Sequence, residues 1–184
     1  ADAQHPHEHL DLFHGGLGPG ALAQVAQRAV IPPDDLRLGG LAAGVVVHAV
    51  AIQLPDGRLV TGRTSDLLGP SAAALLNAVK GICRIPREDN LITRGVIGPI
   101  QSLKTEVLGN HNPRLHSDEV LVALSISAAL SGEAQRACAH LSDLRGCEAH
   151  STVILPQVDA DIYRKLGIHL TCDPAYQTKK LYHK

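Results

Sequence analysis

The feature that most constrains the fold is a strand, helix and strand pattern near the C-terminus. The segment CEAHSTVIL (147–155) has strand character, VDADIYRKLG (158–167) has helical spacing that ends at a glycine, and IHLTCD (168–173) reads as a second strand. A strand, crossover helix and strand of this length form a parallel pair with a right-handed connection. The chain is therefore predicted to have an α/β fold.

Two β-branched runs upstream predict a β-hairpin. They lie in AAGVVVHAVAIQLPDGRLVTGRTS (42–65) and are joined by Pro55-Asp56-Gly57, a combination that reverses a chain tightly. Together with the later parallel pair, the hairpin predicts a mixed sheet of four or more strands, covered by helices on both faces. The expected order is hairpin, then helices, then β-α-β.

Helical patterns fill the middle of the chain. GPSAAALLNAVKGI (69–82) predicts a helix with Pro70 in its first turn and Ser71 as its cap. LITRGVIGPIQSLKTEVLG (91–109) has helical spacing that Pro99 is expected to interrupt.

The domain prediction places one α/β domain at 45–184. Residues 1–44 are predicted to be an N-terminal arm with a short helix at 21–29 and are left unassigned; the histidines near the start of this arm could bind metal adventitiously. The tail 175–184 carries three lysines, which are expected to be solvated. Docking of this tail on a partner or a neighbouring subunit is the alternative.

Composition excludes several classes of function. The chain has 17 basic and 18 acidic residues and almost no aromatic residues, so it lacks the basic field and the stacking platform of a nucleic-acid-binding protein. No apolar run reaches the roughly 18 residues of a membrane helix. The four cysteines form no Cys-x-x-Cys pair and are expected to be reduced thiols. We expect a soluble, cytoplasmic protein that binds neither nucleic acid nor membrane.

The most decorated stretch is LGNHNPRLHSDEVLVALSISAAL (108–130). Its helix must begin after Pro113, and Ser117 is the predicted N-cap. From 120 to 130 the helix is apolar apart from Ser125 and Ser127, whose hydroxyls can bond carbonyls one turn earlier. A helix without a polar face is usually enclosed by protein, so we expect a buried central helix.

The N-terminus of such a helix is a potential anion site because its amides and dipole favour negative charge. Arg114 could clamp a phosphate or carboxylate, His116 and His111 could donate or exchange protons, and Asn112 could orient the ligand. Glu119 is the candidate general base. The alternative is plain capping, with Arg114 paired to the acidic residues of the first helical turn.

Two further hypotheses concern the loop after the hairpin and a zinc site. In GRTSD (62–66), residues Arg63, Thr64 and Ser65 stand at a strand end, where they could bind the same ligand; an exposed turn is the alternative. A zinc site built on His116 and Glu119 is the least supported hypothesis, because no Pro-Cys-x-x-Cys follows. We expect no metal site and no zinc; any other cofactor is unknown.

The segment CEAH, which contains Cys147 and His150, is a poor substitute for the missing cysteine pair. If both residues lie on the strand, their odd spacing sends them to opposite faces, where they cannot share a metal. A core cysteine and a strand-end histidine are the favoured interpretation.

Four runs resemble the C-terminal part of a bacterial family known as "domain of unknown function 1846". They are LPDGRLVTGRTSDLLGPSAAALLNAVKGI, LGNHNPRLHSDEVLVALSISAA, LRGCEAHSTVIL and RKLGIHLTCDPAYQTKKLYHK. The resemblance covers about 45–184. It implies a topology similar to the cytidine-deaminase-like fold, which hosts both zinc deaminases and zinc-free transferases. It also implies longer proteins whose N-terminal part has a glycine-rich, phosphate-loop-like segment that is absent here.

These observations lead to one main hypothesis and one rival. The main hypothesis is a ligand-binding or catalytic module for an anionic small metabolite, phosphorylated metabolites included, at the start of the 117–130 helix. The rival is a non-catalytic domain for homo-oligomerisation or regulation within a larger protein. Whether the protein is an enzyme is left open.

Overall fold

The computed structural model describes residues 18–30 and 47–176. Within these residues, one four-stranded mixed sheet has the strand order β2-β1-β3-β4 and is accompanied by six α-helices. The elements are α1 (Pro19–Val30), β1 (Ala49–Gln53), β2 (Leu59–Arg63), α2 (Pro70–Cys83), α3 (Arg94–Ser102), α4 (Ser117–Ala128), α5 (Gly132–Ala139), β3 (Glu148–Ser151), α6 (Gln157–Leu166) and β4 (His169–Cys172). The α/β class and the mixed sheet are confirmed.

The predicted hairpin is formed by β1 and β2, which pair antiparallel with Ala51 opposite Thr61. Its turn closes through a hydrogen bond from the Leu54 amide to the Arg58 carbonyl. Gly57 has φ +85, a conformation that L side chains rarely adopt. The tight reversal predicted at Pro55-Asp56-Gly57 is therefore present.

The predicted β-α-β unit is also present. Strands β3 and β4 pair parallel across α6, and Gly167 ends that helix with φ +74. Strand β1 runs antiparallel to both β2 and β3. As a result β2, β3 and β4 point in the same direction, and their carboxyl ends meet at one edge of the sheet.

Helices cover both faces of the sheet. On one face Val50 and Ile52 of β1 pack into a core with α2 and α6, and on the other face Ala51 packs against α1. The approach of α2 to β2 is close, because a Cβ on Gly62 would collide with the backbone of Ala73 and Ala74. The short helix expected at 21–29 is α1.

Two details of the helices differ from the sequence predictions. Gly69, not Ser71, is the N-cap of α2; Ser71 lies inside the first turn, where its buried hydroxyl has no partner in the described part of the chain. Helix α3 continues through Pro99 into a π-helical turn, Leu103–Val107. Pro99 lacks only one amide donor, and the carbonyl that this leaves unpaired belongs to exposed Gly95 in the first turn. Water can donate a hydrogen bond to this carbonyl instead.

The prediction that the 117–130 helix is enclosed is wrong. Helix α4 buries one face against its neighbours but exposes Val122 and Ile126 on the other. An apolar sequence reports only how much surface could be buried, whereas the packing of α2, α3, α5 and α6 on one side decides how much is. Both serines do return their hydroxyls to the carbonyls of Leu121 and Ala123, as predicted.

The predictions for the histidine-rich start (1–17) and for most of the lysine tail (177–184) lie outside the described residues. In the segments that the structure does describe, no helix is long and apolar enough to cross a membrane.

Candidate functional site

The start of α4 lies beside the edge of the sheet where the parallel strands end. The loop after β2 carries Leu68, which forms an isolated parallel bridge with Leu115 just before α4. The loop after β3 leads into α6, whose first turn contacts the start of α4 through Asp159. Ligands of open α/β sheets usually bind outside such carboxyl ends. The sequence stretch singled out above is therefore placed where a ligand site is expected.

A hydrogen-bonded cluster of three residues forms the centre of this region. His116 Nδ1 lies 2.9 Å from Asp159 Oδ2. The other carboxylate oxygen, Oδ1, accepts hydrogen bonds from the Ser117 amide at 2.8 Å and from the Ser117 hydroxyl at 2.6 Å. The Asp159 side chain is 3% exposed, whereas that of His116 is 27% exposed. A buried carboxylate thus orients a histidine ring that reaches the surface.

This arrangement corrects the predicted cap. His116, not Ser117, is the N-cap residue of α4, because the Ser117 hydroxyl is used by Asp159 from another helix. The carboxylate of Asp159 also accepts the Ser117 amide, one of the unpaired donors that the helix offers to an anion. The protein supplies its own anion at this position.

The contact also shifts both pKa values. The hydrogen bond that His116 donates to Asp159 raises the pKa of His116, although burial works in the opposite direction. Burial works against the charged form of Asp159, but the hydrogen bonds from His116 and Ser117 outweigh it together and lower the pKa of this carboxyl. The pair therefore favours a carboxylate with an imidazolium, which is the state that a general base reaches after it takes a proton.

Glu119, the candidate base, is engaged in a second cluster at the same helix end. Its Oε2 lies 2.7 Å from Lys104 Nζ and accepts the His116 amide at 2.8 Å. Buried Lys104 also donates to the Arg114 carbonyl at 2.6 Å. The internal ion pair of this region is thus formed by Lys104 and Glu119, and Glu119 braces the backbone of His116.

Arg114 has a different environment from the one that plain capping predicts. Its Nε donates to the Ser65 carbonyl at 2.6 Å, which ties the loop after β2 to the start of α4. Its own amide donates to the side chain of Asn112. In the part of the chain that the structure describes, no carboxylate lies within ion-pair distance of its guanidinium. The two terminal nitrogens of this cation stay available for an anion.

Of the other predicted site residues, Thr64 and Ser65 use their hydroxyls within the protein, and two others lie at the surface. The Thr64 hydroxyl bonds the backbone of His48, and the Ser65 hydroxyl accepts the amides of the loop that follows it. Arg63 and His111 are both exposed. The structure brings together Ser65, Arg114 and His116, while no contact links His111 to them among the described residues.

Sequence reasoning missed Asp159 and Lys104. Asp159 stands in the first turn of a helix that follows a strand, a position that the β-α-β pattern already assigned to the carboxyl edge of the sheet. This placement was the available signal. Lys104 offered none, because its burial depends on the continuation of α3 into the π-helical turn.

The CEAH segment forms no site with the α4 cluster. Cys147 belongs to the sheet core, and burial raises the pKa of its thiol to about 11. His150 is buried within β3, where Nδ1 lies 2.8 Å from the Thr171 hydroxyl and Nε2 lies 3.1 Å from Asp173 Oδ1. It is the penultimate residue of β3, one position from the strand end where we expected it. All four cysteines are free thiols.

Over 18–30 and 47–176, no three His, Cys, Asp or Glu side chains are grouped so that they could hold a metal ion. His116 and Glu119, the residues considered for zinc, instead contact Asp159 and Lys104.

Two known proteins that are similar to this chain come from streptococci. A UPF0371 protein of Streptococcus pyogenes serotype M5 (strain Manfredo) is 52% identical over 136 residues, which is 74% of this chain and 28% of that protein. A UPF0371 protein of Streptococcus thermophilus (strain CNRZ 1066) is 54% identical over the same length and the same shares. The chain thus matches little more than a quarter of the length of these relatives.

The family model described as "Domain of unknown function DUF1846, C-terminal" matches residues 24–182. This match begins within α1 and includes the site around α4. The resemblance noted from the sequence runs is confirmed: the chain belongs to the DUF1846 family and corresponds to its C-terminal domain.

Proposed function

We propose that this domain binds an anionic small molecule beside the start of α4 and exchanges a proton with it through His116. The observation that carries the proposal is the His116–Asp159 pair. Nδ1 is held at 2.9 Å by a buried carboxylate, and Nε2 has no hydrogen-bond partner in the described residues. A ring fixed through one nitrogen and open at the other is the arrangement of a general acid or base.

Asp159 positions this ring and does not exchange the proton itself. With Asp159 charged, Nδ1 carries the hydrogen, so Nε2 of the neutral ring is the nitrogen with a lone pair. When Nε2 takes a proton, the positive ring lies next to the buried carboxylate. Glu119, which we had considered as a base, acts in this proposal as a brace through its bonds to Lys104 and the His116 amide.

Arg114 supplies the attraction for an anion. Its Nε is fixed on the Ser65 carbonyl, so the terminal nitrogens can bind a phosphate or carboxylate as a fork. The amides of α4 are a weaker attraction than the sequence implied, because Asp159 and Glu119 already accept two of them. The proposal therefore assigns the anion to Arg114, with Asn112, His111, Arg63, Thr64 and Ser65 as the surrounding residues predicted from the sequence.

A thermal-shift panel tests the proposal. Inorganic phosphate, sugar phosphates, nucleotides and dicarboxylates are added to the wild-type chain, to Arg114→Ala and to His116→Gln. A ligand at a hundred times its Kd stabilises the protein by about 2.7 kcal/mol, which is a shift of several degrees. We expect one anionic class to shift the wild type and to have no effect on Arg114→Ala.

The matched control is Arg164→Ala, which removes the same charge from an exposed site on α6. This variant keeps the shift if Arg114 acts specifically. His116→Gln keeps binding but loses any proton-transfer activity found with that ligand. A shift that survives in Arg114→Ala, or the lack of any shift across the panel, contradicts the proposal.

One observation favours a second function, self-association through α4. Val122 and Ile126 are exposed one turn apart, and the small residues Ser125 and Ala129 lie between and beside them on the same surface. Exposed contiguous apolar surface often marks an interface. Large and small residues that alternate along one helix allow a second copy of the same helix to pack against it.

The oligomeric mass separates this function from ligand binding. A dimer of the wild-type chain that becomes a monomer in Ile126→Glu supports self-association through α4. Ser142→Glu adds the same charge at another exposed position and is expected to leave the mass unchanged. A monomeric wild type over the full concentration range contradicts it.

The detailed fold topology and the cellular location of the protein are also proposals. The cytidine-deaminase-like topology implied by the family resemblance stays a prediction, although the hairpin and the β-α-β unit agree with it. A cytoplasmic location also stays a prediction. The chain covers 28% of the length of its relatives, so an activity of the whole protein would be a separate proposal.

A further inference from the structure

A second region with ligand-binding character lies beside α2. A cavity of about 520 Å³ is lined by Leu67 and Leu68 of the loop after β2, by α2, by the connection from α2 to α3 and by the start of α3. This volume lies within the range that small-molecule sites occupy. Its lining does not include His116, Asp159 or Arg114, so it is distinct from the site at α4.

The charged groups that line this cavity are all positive. They are Lys80 of α2, Arg87 of the connection and Arg94 of α3, and no carboxylate is among the lining residues. Glu88 and Asp89 belong to the same connection, and their charges act on Lys80 from outside the lining. A concave surface that gathers three cations raises the local concentration of anions.

Lys80 is the most informative of the three cations. The residue is 8% exposed, and its Nζ donates to the Arg87 carbonyl at 3.0 Å. No carboxylate in the described residues lies within ion-pair distance of this ammonium group. A buried charge is costly unless an opposite charge compensates it. A bound anion would provide that compensation, and two of the three N–H donors of Lys80 are unused.

The start of α3 adds donors at the same place. Thr93 is the N-cap, but its side chain accepts no hydrogen bond from the helix, so the first amides of α3 lack a cap. Both Thr93 and Arg94 line the cavity. Apart from Asn77 and Asn90, the remaining wall is apolar and includes buried Leu91 and Ile97. The cavity therefore combines donors for an anionic group with an apolar wall for the body that carries it.

We propose that the cavity between α2 and α3 binds a phosphate monoester with an apolar or ring-shaped body, with Lys80, Arg87 and Arg94 around the phosphate. A free inorganic phosphate would satisfy the cations but would leave the apolar wall uncovered. The organic body accounts for this wall, and the phosphate accounts for the three cations.

Calorimetric titration with three probes tests this proposal. Phenyl phosphate carries both features, inorganic phosphate carries the anion alone, and phenol carries the ring alone. We expect phenyl phosphate to bind at least about tenfold more tightly than either of the others, because each part contributes separately. Equal affinities of phenyl phosphate and inorganic phosphate, or no binding of phenyl phosphate at millimolar concentration, would overturn it.

Variants locate the binding. Arg94→Ala changes an exposed side chain, so the fold is retained, and the Kd for phenyl phosphate is expected to rise at least about tenfold. Arg164→Ala removes the same charge from an exposed position on α6 and is expected to keep the wild-type Kd, and Arg114→Ala reports on the separate site at α4. An equal loss in all three variants would show non-specific attraction. A loss in Arg114→Ala alone would assign the ligand to the site at α4.

Lys80→Met separates a ligand-binding lysine from a structural one. Methionine keeps the apolar stem, and it removes a buried charge that has no carboxylate partner. We expect the melting temperature without ligand to be no lower than that of the wild type, while the shift caused by phenyl phosphate is lost. A large fall in melting temperature together with an unchanged phenyl phosphate affinity would overturn the assignment of Lys80.

Discussion

Two histidine–aspartate pairs in this chain use the same groups in opposite ways. In the sheet, His150 is bonded at both ring nitrogens, to the Thr171 hydroxyl and to Asp173. At the start of α4, His116 is bonded at one nitrogen only, to Asp159. The buried partner also differs: His150 is the buried member of its pair, whereas Asp159 is the buried member of the other.

The difference shows why a histidine–aspartate contact alone does not identify a functional site. A ring with both nitrogens occupied holds strands together and has no nitrogen left for chemistry. A ring anchored by a buried carboxylate keeps its orientation while the second nitrogen faces a substrate. Burial of the acid therefore indicates a functional site better than burial of the histidine, because a buried acid fixes the orientation of the ring and leaves its second nitrogen exposed.

The largest expected effect is the difference in stability lost when Asp159 or Asp173 is replaced by alanine. Asp159→Ala removes the acceptor of the buried Ser117 amide and hydroxyl as well as the partner of His116. Loss of one member of a buried hydrogen-bonded charged group costs about 3 kcal/mol. Asp173→Ala removes a partly exposed acid and is expected to cost about 1 kcal/mol. Urea unfolding of both variants measures the difference.

The exposed pair His140–Asp143 provides the matched control for this comparison. Asp143→Ala removes a carboxylate from a surface contact, where such pairs contribute about 0–1 kcal/mol. A cost for Asp173→Ala as large as that for Asp159→Ala would show that the two acids do not differ in this way.

The local elements of the fold were predictable because their signals are local. The hairpin depends on Pro55-Asp56-Gly57, and the end of α6 depends on Gly167, so each needs only a few neighbouring residues. The sequence also located the start of α4 correctly to within one residue. Here the misassignment of the cap followed from a contact that no local pattern records.

The candidate site was predictable only in part, for a related reason. Arg114 and His116 stood out because they are crowded into one short stretch. Their partners Ser65 and Asp159 lie 49 and 43 residues away, so they come together only when the sheet edge assembles. The exposure of α4 likewise depends on which neighbours pack against it, and composition alone predicted the opposite.

The next largest expected effect is a difference between His116 and His150 in the rate of chemical modification. Diethylpyrocarbonate modifies an accessible ring nitrogen. His116 has an unbonded Nε2 and a partly exposed ring, whereas His150 must lose a hydrogen bond before it reacts. We expect His116 to react about tenfold faster, as about 1.4 kcal/mol of local opening would cause.

Peptide mapping by mass spectrometry resolves the two sites in the same sample. The exposed His111 is the reference for an unprotected ring. Equal rates at His116 and His150 would mean that Nε2 of His116 is not accessible, and the proposed proton transfer would then lack its route.

A smaller loss of stability is expected when Thr171, a partner of His150, is replaced. Thr171→Val keeps the shape of the side chain and removes the hydroxyl that contacts Nδ1 of His150. The loss of one net hydrogen bond costs about 1 kcal/mol. The NMR signals of the His116 ring are expected to stay unchanged, since the two pairs share no residue. A change at His116 would show that the pairs are coupled through the sheet.

The smallest effect is the pH dependence of the His116–Asp159 pair. The bond to Asp159 raises the pKa of His116 above 6.5, so its stabilisation is fully present below pH 6.5 and is lost as the pH rises through the folded pKa. The pKa of Asp159 lies below 3.8, so that contribution is present above pH 3.8 and is lost as the pH falls through the folded value. The pair is therefore most stabilising between these limits.

The measurement is the difference in unfolding free energy between the wild type and Asp159→Asn as a function of pH. We expect the largest difference between pH 3.8 and 6.5 and a smaller one on either side. The neutral ring still donates to the carboxylate at high pH, so the difference narrows there without reaching zero. Asp143→Asn, on the exposed pair, corrects for the general change in charge. A difference that widens above pH 6.5 would mean that Asp159 favours the neutral form of His116, and the ring would then be held in place without being prepared to accept a proton.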